Sequence, residues 1–349
     1  FGLAFSRFWK DKTGQEVFVD WRVPGGTSDI AILLKSDYTA AFQHHWEKAL
    51  GQPWSPKVAQ AFLDGKRALP SPPESEWSAE DKARRAFLDS EVGIGVDVFF
   101  GGGPYDFEQQ ARAGVLVAAT KKGEFGLPAV RRAHPGWLCD SGIAEPLSGE
   151  IFREKDGRWT GTCLSSFGIV FNRDVLQRLG IEKQPDSWED LADPRLVGQV
   201  ALSDPSKSGS VTKAFEMVIQ QKMRERLTAI QQKPQDRRIK PTAEQMEEQA
   251  VSEGWLEGMR LIQKIAANAR YFTDSSAKIP LEVSRGDAAA GMCIDYYGRS
   301  ATEHTRRADG SSRVGFVGPV GGTAVSVDPI GMLRGAPDPM AADFAALRQ

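Results

Sequence analysis

The sequence predicts an α/β protein of about two domains, and three observations carry that prediction. A unit of strand, small-residue turn and helix occurs at residues 17–34, again at 96–113 and again at 199–219. The chain has 349 residues, 41% of them hydrophobic, which is enough for sizeable cores at about 150 residues per domain. The stretch 282–300 turns at Arg285-Gly286-Asp287 and runs through small apolar residues at 288–294, a length suited to a buried strand. It then meets the polar cluster Asp295-Tyr296-Tyr297-Gly298. Ligands of open α/β sheets bind at the carboxyl ends of strands, so a tyrosine pair there is a candidate binding element. The plainer alternative makes one tyrosine core and the other surface.

Taken in order, Leu3, Phe5, Phe8 and Trp9 form one helix face, and Gly14 stops it as a glycine just past a helix does. Residues 17–21, Val-Phe-Val-Asp-Trp, alternate like a strand. Pro24-Gly25-Gly26-Thr27-Ser28-Asp29 then turns into a helix carrying Ile30, Ile32, Leu33 and Leu34. Thr27, Ser28 or Asp29 would cap that helix, and free amides at its start attract anions. Residues 38–50 read as helix. The adjacent His44 and His45 point about 100° apart there, cannot easily share a metal and read as surface residues. Residues 68–78 are a Pro- and Ser-rich loop, and 79–89 a charged helix.

A strand at 96–100 leads into the second turn, Gly101-Gly102-Gly103-Pro104-Tyr105-Asp106, and a helix at 107–113 ended by Gly114. No Gly-Lys-Ser/Thr follows these glycines and the dinucleotide-binding spacing is absent. Residues 121–157 are irregular. Residues 159–164 and 167–172 read as paired strands flanking Ser165-Ser166. Helices at 173–179, ended by Gly180, and at 188–191 precede a strand at 199–203. The third turn covers 204–210, where Ser208, Gly209 and Ser210 place hydroxyls and N–H groups at the start of a helix over 211–219. Ordinary capping is the alternative at each of the three turns. Residues 221–249 read as solvated helix with an insertion, and 255–267 as an amphipathic helix. A polar turn at 273–276, a helix at 279–284, strands at 314–317 and 323–330 and a helix from 338 complete the chain.

Forty-four basic and 46 acidic side chains give a net charge of −2, which offers no reason to expect nucleic acid or an anionic membrane as partner. No apolar run approaches the ~20 residues that span a bilayer. Cys139, Cys163 and Cys293 fit no metal-ligand spacing; packed thiols are expected, with a Cys139–Cys163 disulfide as the alternative. Both ends of the chain fall inside helical patterns and read as cut. No nucleophile–base pairing or metalloprotease spacing is present.

The order of the pieces resembles the periplasmic solute-binding proteins of ATP-binding-cassette importers, specifically the ferric-iron type within the type II binding-protein fold. The stretches that carry it are 25–30; 96–103 with 111–116; 167–172 followed by Trp188-Glu189-Asp190-Leu191 and Asp193-Pro194-Arg195; 204–210; 285–287 with the strand after it; and 336–339. The family's first strand and final helices find no counterpart in the chain.

The resemblance implies two α/β lobes joined by two crossover strands, apparently truncated at both ends: residues 1–164 with 322–349 in lobe 1, and 165–321 in lobe 2. Solute would bind between the lobes, which close by a hinge motion and present it to a membrane permease. The expected location is periplasmic and the expected state a monomer. No catalytic residue is expected. The expected ligand-binding set is Thr27, Ser28, Gly102, Gly103, Ser165, Ser166, Ser208, Gly209, Ser210, Asp295, Tyr296 and Tyr297. In iron-binding members a tyrosine pair supplies phenolate oxygens, which places Fe(III) first as the transported ligand, on Tyr296 and Tyr297, ahead of a sugar phosphate or similar anion. Adjacent residues of an extended chain point opposite ways, so the two phenols converge only if the backbone turns between them. The rival from another class is an enzyme on the same fold, using Tyr296 or Cys293. A sensor domain of a larger chain is a third reading.

Overall fold

The computed structural model describes residues 2–71, 73–118, 127–137, 146–147, 150–233 and 241–336. Cys139 and the helix expected from residue 338 lie outside the described residues; of the thiols expected to be packed, Cys293 is buried but Cys163 is exposed. The chain forms two compact units, Phe1–Cys163 with Val327–Gln349, and Leu164–Ser326.

Unit 1 runs through α1 (Gly2–Thr13), α2 (Thr27–His44, continued by a π-helical turn His45–Ala49), α3 (Pro56–Ala61), α4 (Ala79–Asp89), β1 (Val98–Phe100), α5 (Pro104–Ala113), α6 (Leu127–Ala133), and the short strands β2 (Pro146–Leu147) and β3 (Glu150–Ile151). It enters unit 2 within β4 (Thr160–Asn172). Unit 2 continues with α7 (Arg173–Arg178), β5 (Val200–Ser203), α8 (Gly209–Gln232), α9 (Ala243–Ala267), β6 (Ala269–Thr273), α10 (Ile279–Arg285), β7 (Ala290–Ile294), α11 (Asp295–His304) and β8 (Val314–Val317). The chain returns to unit 1 within β9 (Val325–Met332), between Ser326 and Val327.

The core of unit 1 is aromatic. Phe42 stacks on Phe62 at 4.7 Å between ring centroids, and Phe99 on Phe107 at 4.1 Å. The i, i+4 pair Phe5 and Trp9 anchors α1 on Ile330, whereas Leu3 and Phe8 of the expected apolar face are exposed. Along 17–21 the expected alternation is present in burial: Val17 and Val19 pack on that same cluster while Phe18 is 87% exposed. The segment is nevertheless not a strand, because alternation decides burial while a strand also needs a backbone ladder. β1 pairs antiparallel with β9. Two guanidinium groups collect carbonyls near helix ends. Buried Arg84 donates to Phe62 O and Arg112 O, each at 2.8 Å. Arg334 donates to Gly114 O at 2.7 Å and to Leu88 O and Ser90 O. Helix C-termini leave carbonyls unsatisfied and favour cations, so both arginines meet a need that the fold creates.

Unit 2 is built on a mixed sheet in the order β8-β4-β7-β5-β6. β4 is antiparallel to both β8 and β7, and β7, β5 and β6 are mutually parallel. Both faces are buried. Phe167, Ile169, Phe171, Val200, Leu202 and Met292 point into one core, and Val170, Ala201 and Cys293 into the other. α8 and α9 lie close together because α9 carries Gly254 and Gly258. A Cβ on Gly258 would stand 2.6 Å from Ile219 Cα, and one on Gly254 would meet the backbone of Met223. The paired strands expected around Ser165-Ser166 are instead one continuous strand, β4, with no turn between them. α8 joins the helix expected at 211–219 to the first part of the helical stretch expected over 221–249, and α9 joins the last part of that stretch to the helix expected at 255–267, whereas β6 and α11 were not anticipated.

Candidate functional site

The parallel trio β6-β5-β7 ends along one edge of unit 2, at Thr273, Ser203 and Ile294. β4 runs the other way and brings Ser165 and Ser166 to that edge, since Phe167 pairs with Ile294. Each parallel strand gives way to a helical start: β5 through Asp204–Ser208 into α8, β6 through a 3-10 turn Ser276–Lys278 into α10, and β7 directly into α11. A buried hydroxyl pair, Ser203 Oγ and Thr273 Oγ1 at 2.9 Å, ties the ends of β5 and β6 together. This is the place where an open α/β sheet receives ligands.

At the start of α8, Ser208 is the N-cap residue but its side chain makes no cap hydrogen bond, and the first turn carries no acidic residue. Ser208 is 5% exposed and its hydroxyl has no hydrogen-bond partner among the described residues. Gly209 is exposed and Ser210 half-buried. On the adjacent strand end Ser276 is 6% exposed, and its hydroxyl likewise has no partner among the described residues. Neither oxygen is among the buried atoms that lack a partner, so solvent reaches both, and with the free amides at the start of a 24-residue helix they form a set of donors suited to an acceptor-rich ligand. Ser276 escaped the sequence reasoning because β6 reads poorly as a strand: Tyr271 and Phe272 are neighbours and both are exposed. The available signal was the Ser275-Ser276 pair itself, just ahead of an apolar helical pattern.

Tyr296 and Tyr297 stand in the first turn of α11, not at the ragged end of a strand. Their rings meet edge to face at 5.6 Å between centroids, and both are exposed, Tyr296 at 68% and Tyr297 at 36%. The helical backbone supplies the turn between them that an extended chain would lack. Asp295 is occupied on both oxygens: Oδ1 accepts from Tyr296 N at 2.8 Å and Oδ2 from Ser166 Oγ at 3.1 Å. Ser165 is buried in β4. Among the described residues no group of three or more His, Cys, Asp or Glu side chains could hold a metal ion. Cys293 lies fully buried beneath this edge. Burial, and then the Asp295 carboxylate, push its thiol pKa well above the usual range, so it stays protonated and unreactive.

In unit 1 the candidate residues stand at the heads of α2 and α5. Thr27 and Gly102 adjoin, such that a Cβ on Gly102 would meet the Thr27 methyl at 3.0 Å, and Gly102 has φ +107°. Ser28 and Gly103 are half-buried beside them in sequence. Both helix starts are closed by their own carboxylates. Asp29 Oδ2 accepts from Gly26 N at 3.1 Å at the head of α2, and Asp106 Oδ2 from Gly103 N at 3.2 Å at the head of α5. The cap residues are thus Gly26 and Gly103, with Asp29 acting from the third helical position and not as the N-cap itself.

Residues 142–345 match the family model described as bacterial extracellular solute-binding protein. An uncharacterised protein of Haemophilus influenzae strain Rd is 41% identical over 94 residues, which is 24% of this chain and 27% of that relative's length. The chain therefore spans about a quarter of the curated relative it matches. Among solved structures, the periplasmic binding protein AfuA of Actinobacillus pleuropneumoniae, with exogenous fructose-6-phosphate bound, superposes with a TM-score of 0.52 at 16% identity, over 99% of this chain and 72% of that one. The periplasmic binding protein P5PA gives 0.50 at 16% identity, over 99% and 76%. The fold is therefore that of periplasmic binding proteins.

Proposed function

Since the chain belongs to the bacterial extracellular solute-binding protein family, whose members are receptors and not enzymes, we propose that it captures a small oxyanion-bearing solute outside the cytoplasmic membrane. It would act as a monomer and hand that solute to an ATP-binding-cassette permease. The observation that carries the solute class is the start of α8. No side chain caps it and its first turn carries no acidic residue, and the hydroxyls of Ser208 at its start and of Ser276 after the neighbouring strand make no hydrogen bond among the described residues. Backbone N–H groups and the positive end of a long helix favour negative charge, and the two hydroxyls add donors. AfuA, which shares the fold, was solved with a hexose phosphate.

A second reading, ferric ion as the cargo, is favoured by one specific observation: two phenols are exposed side by side on the first turn of α11. Phenolate oxygens suit a hard cation, and an anion at α8 would fill further coordination positions.

One titration separates these. Fructose 6-phosphate, inorganic phosphate and ferric citrate are each added to the purified protein in a calorimeter, with the visible spectrum recorded for the iron samples. The oxyanion reading expects heat with the phosphorylated sugar, and an affinity loss of about tenfold in each of Ser208→Ala and Ser276→Ala. A phenolate-to-iron charge-transfer band that disappears in Tyr296→Phe and Tyr297→Phe would establish iron. Absence of heat with both phosphate compounds would reject the oxyanion reading.

A further inference from the structure

Helix α11 begins without a conventional cap, because its N-cap residue is Ile294, whose side chain cannot accept a hydrogen bond. What holds its first turn comes from two other places. Asp295 bridges from Tyr296 N to Ser166 Oγ, which fastens the turn to β4. Beneath the turn, Gly298 lies against the ring of Phe316 in β8. A Cβ at Gly298 would stand 2.8 Å from both Cε2 and Cγ of that ring, so any side chain there would lift the helix. Arg299 covers the same ring, its guanidinium 5.8 Å from the centroid. The tyrosine pair projects from a turn that is pinned in front and seated closely below.

We infer that Ser166, Asp295 and Gly298 are positioning residues that set the orientation of Tyr296 and Tyr297, and that Asp295 and Ser166 are not themselves solute ligands. The inference rests on the reading of this edge as the solute site, and it changes the role of two residues first taken as ligands. The hydroxyl and the backbone N–H that the carboxylate accepts from hold it between β4 and the first turn of α11. Its position as the first residue of α11 also gives the helix the negative charge that its N-terminus favours. Ser166 lies in β4, the strand in which the chain passes from unit 1 to unit 2, so the pair is referenced to the most continuous element of unit 2's sheet.

The test uses the full chain labelled with 3-fluorotyrosine. Its five tyrosines give few resonances, and Tyr296→Phe and Tyr297→Phe assign the two of interest. Fluorine spectra are recorded without solute for Ser166→Ala, Ser166→Thr, Asp295→Asn and Gly298→Ala. Fructose 6-phosphate affinity is measured on the same samples. Ser166→Ala is expected to move or broaden the Tyr296 and Tyr297 resonances and to weaken binding about five- to tenfold, with the other tyrosine resonances unchanged. Ser166→Thr, which keeps the hydroxyl, is expected to restore both readouts. Affinity that falls while the two resonances stay in place would make Ser166 a direct ligand and overturn the proposal. Unmoved resonances in both Ser166→Ala and Asp295→Asn would overturn it as well. Should the parent bind no phosphorylated solute while the resonances move as expected, the solute reading fails and the positioning role stands. If Gly298→Ala does not fold, the Ser166 variants carry the test alone.

Discussion

Helices α2 and α5 of unit 1 each begin beneath a carboxylate, whereas α8 of unit 2 begins without one. At α2 and α5 the aspartate three residues into the helix turns back to the cap residue's N–H, through Asp29 and Asp106. At α8 the cap serine's side chain makes no cap hydrogen bond, and its hydroxyl, like that of Ser276, has no partner among the described residues. The three turns look equivalent as strings of small residues after a strand. The difference between them is electrostatic: a carboxylate neutralises the positive end of a helix, and its absence leaves that end available to something else. The structure thus divides the three into two closed turns and one open turn.

The sharpest way to break this comparison is to close the open turn. Ser210→Asp places a carboxylate in the first turn of α8, where the sequence has none. We expect it to weaken fructose 6-phosphate binding by about a hundredfold or more through like-charge repulsion. Thermal stability should hold or rise slightly, since an acid at a helix start is favourable. Isothermal titration beside a melting curve checks both. Unchanged affinity would mean that the open turn is not where the solute's charge sits.

A second change attacks the support behind α8. Gly254 and Gly258 allow α9 to approach it backbone to backbone. Gly254→Leu should cost about 1–3 kcal/mol by overpacking, seen as a fall in the denaturation midpoint with affinity lost in proportion. A variant as stable as the parent would show that the two helices do not need their close approach.

Most of what lies along one strand or one helix was legible in the sequence, because it depends on local periodicity and on glycine. Gly114 and Gly180 end helices with positive φ as expected, and the small apolar residues of β7 form a strand buried on both faces. What escaped depends on partners far away in the chain. Nothing local says that residues 17–21 lack a ladder, or that Ser165 and Ser166 continue a strand whose neighbours come from residues 290–294 and 314–317. The candidate site was legible as a set of residue types near strand ends. Its capping state was not, because whether Ser208 caps its own helix depends on a backbone conformation, φ −123° and ψ 104°, that serine neither requires nor forbids. Ser276 was invisible for the same reason as β6, whose neighbouring aromatic residues are both exposed and hide the strand's period.

The closed turns of unit 1 offer the converse experiment, with a smaller effect. Asp29→Ala removes the acceptor for Gly26 N and should cost about 1 kcal/mol. That corresponds to a fall of about 2–4 °C in the melting temperature of a unit of this size. A larger loss would indicate that Asp29 supports more than its own helix start.

Asp106 permits the finest distinction, because its carboxyl serves the cap at a cost. It is half-buried, and that burial raises its pKa above the usual carboxylate value, with the Gly103 N–H opposing the shift only in part. A carboxyl whose folded pKa exceeds its unfolded one binds its proton more tightly in the folded state. The stability from this source is complete below the ordinary carboxylate range and is lost as pH rises through the raised value. At pH 7 Asp106 is therefore a charged group paying for its burial, while an amide oxygen could still accept from Gly103 N. Asp106→Asn should then melt about a degree higher than the parent at pH 7, and the gap should shrink as pH is lowered toward 4. Asp106→Ala, which keeps neither charge nor acceptor, should instead melt lower than the parent at pH 7. Melting curves for the three proteins across that range decide the matter. If Asp106→Asn is the less stable at pH 7, the charge itself is what closes the turn, and the carboxylates of α2 and α5 act on their helix ends by charge more than by hydrogen bonding.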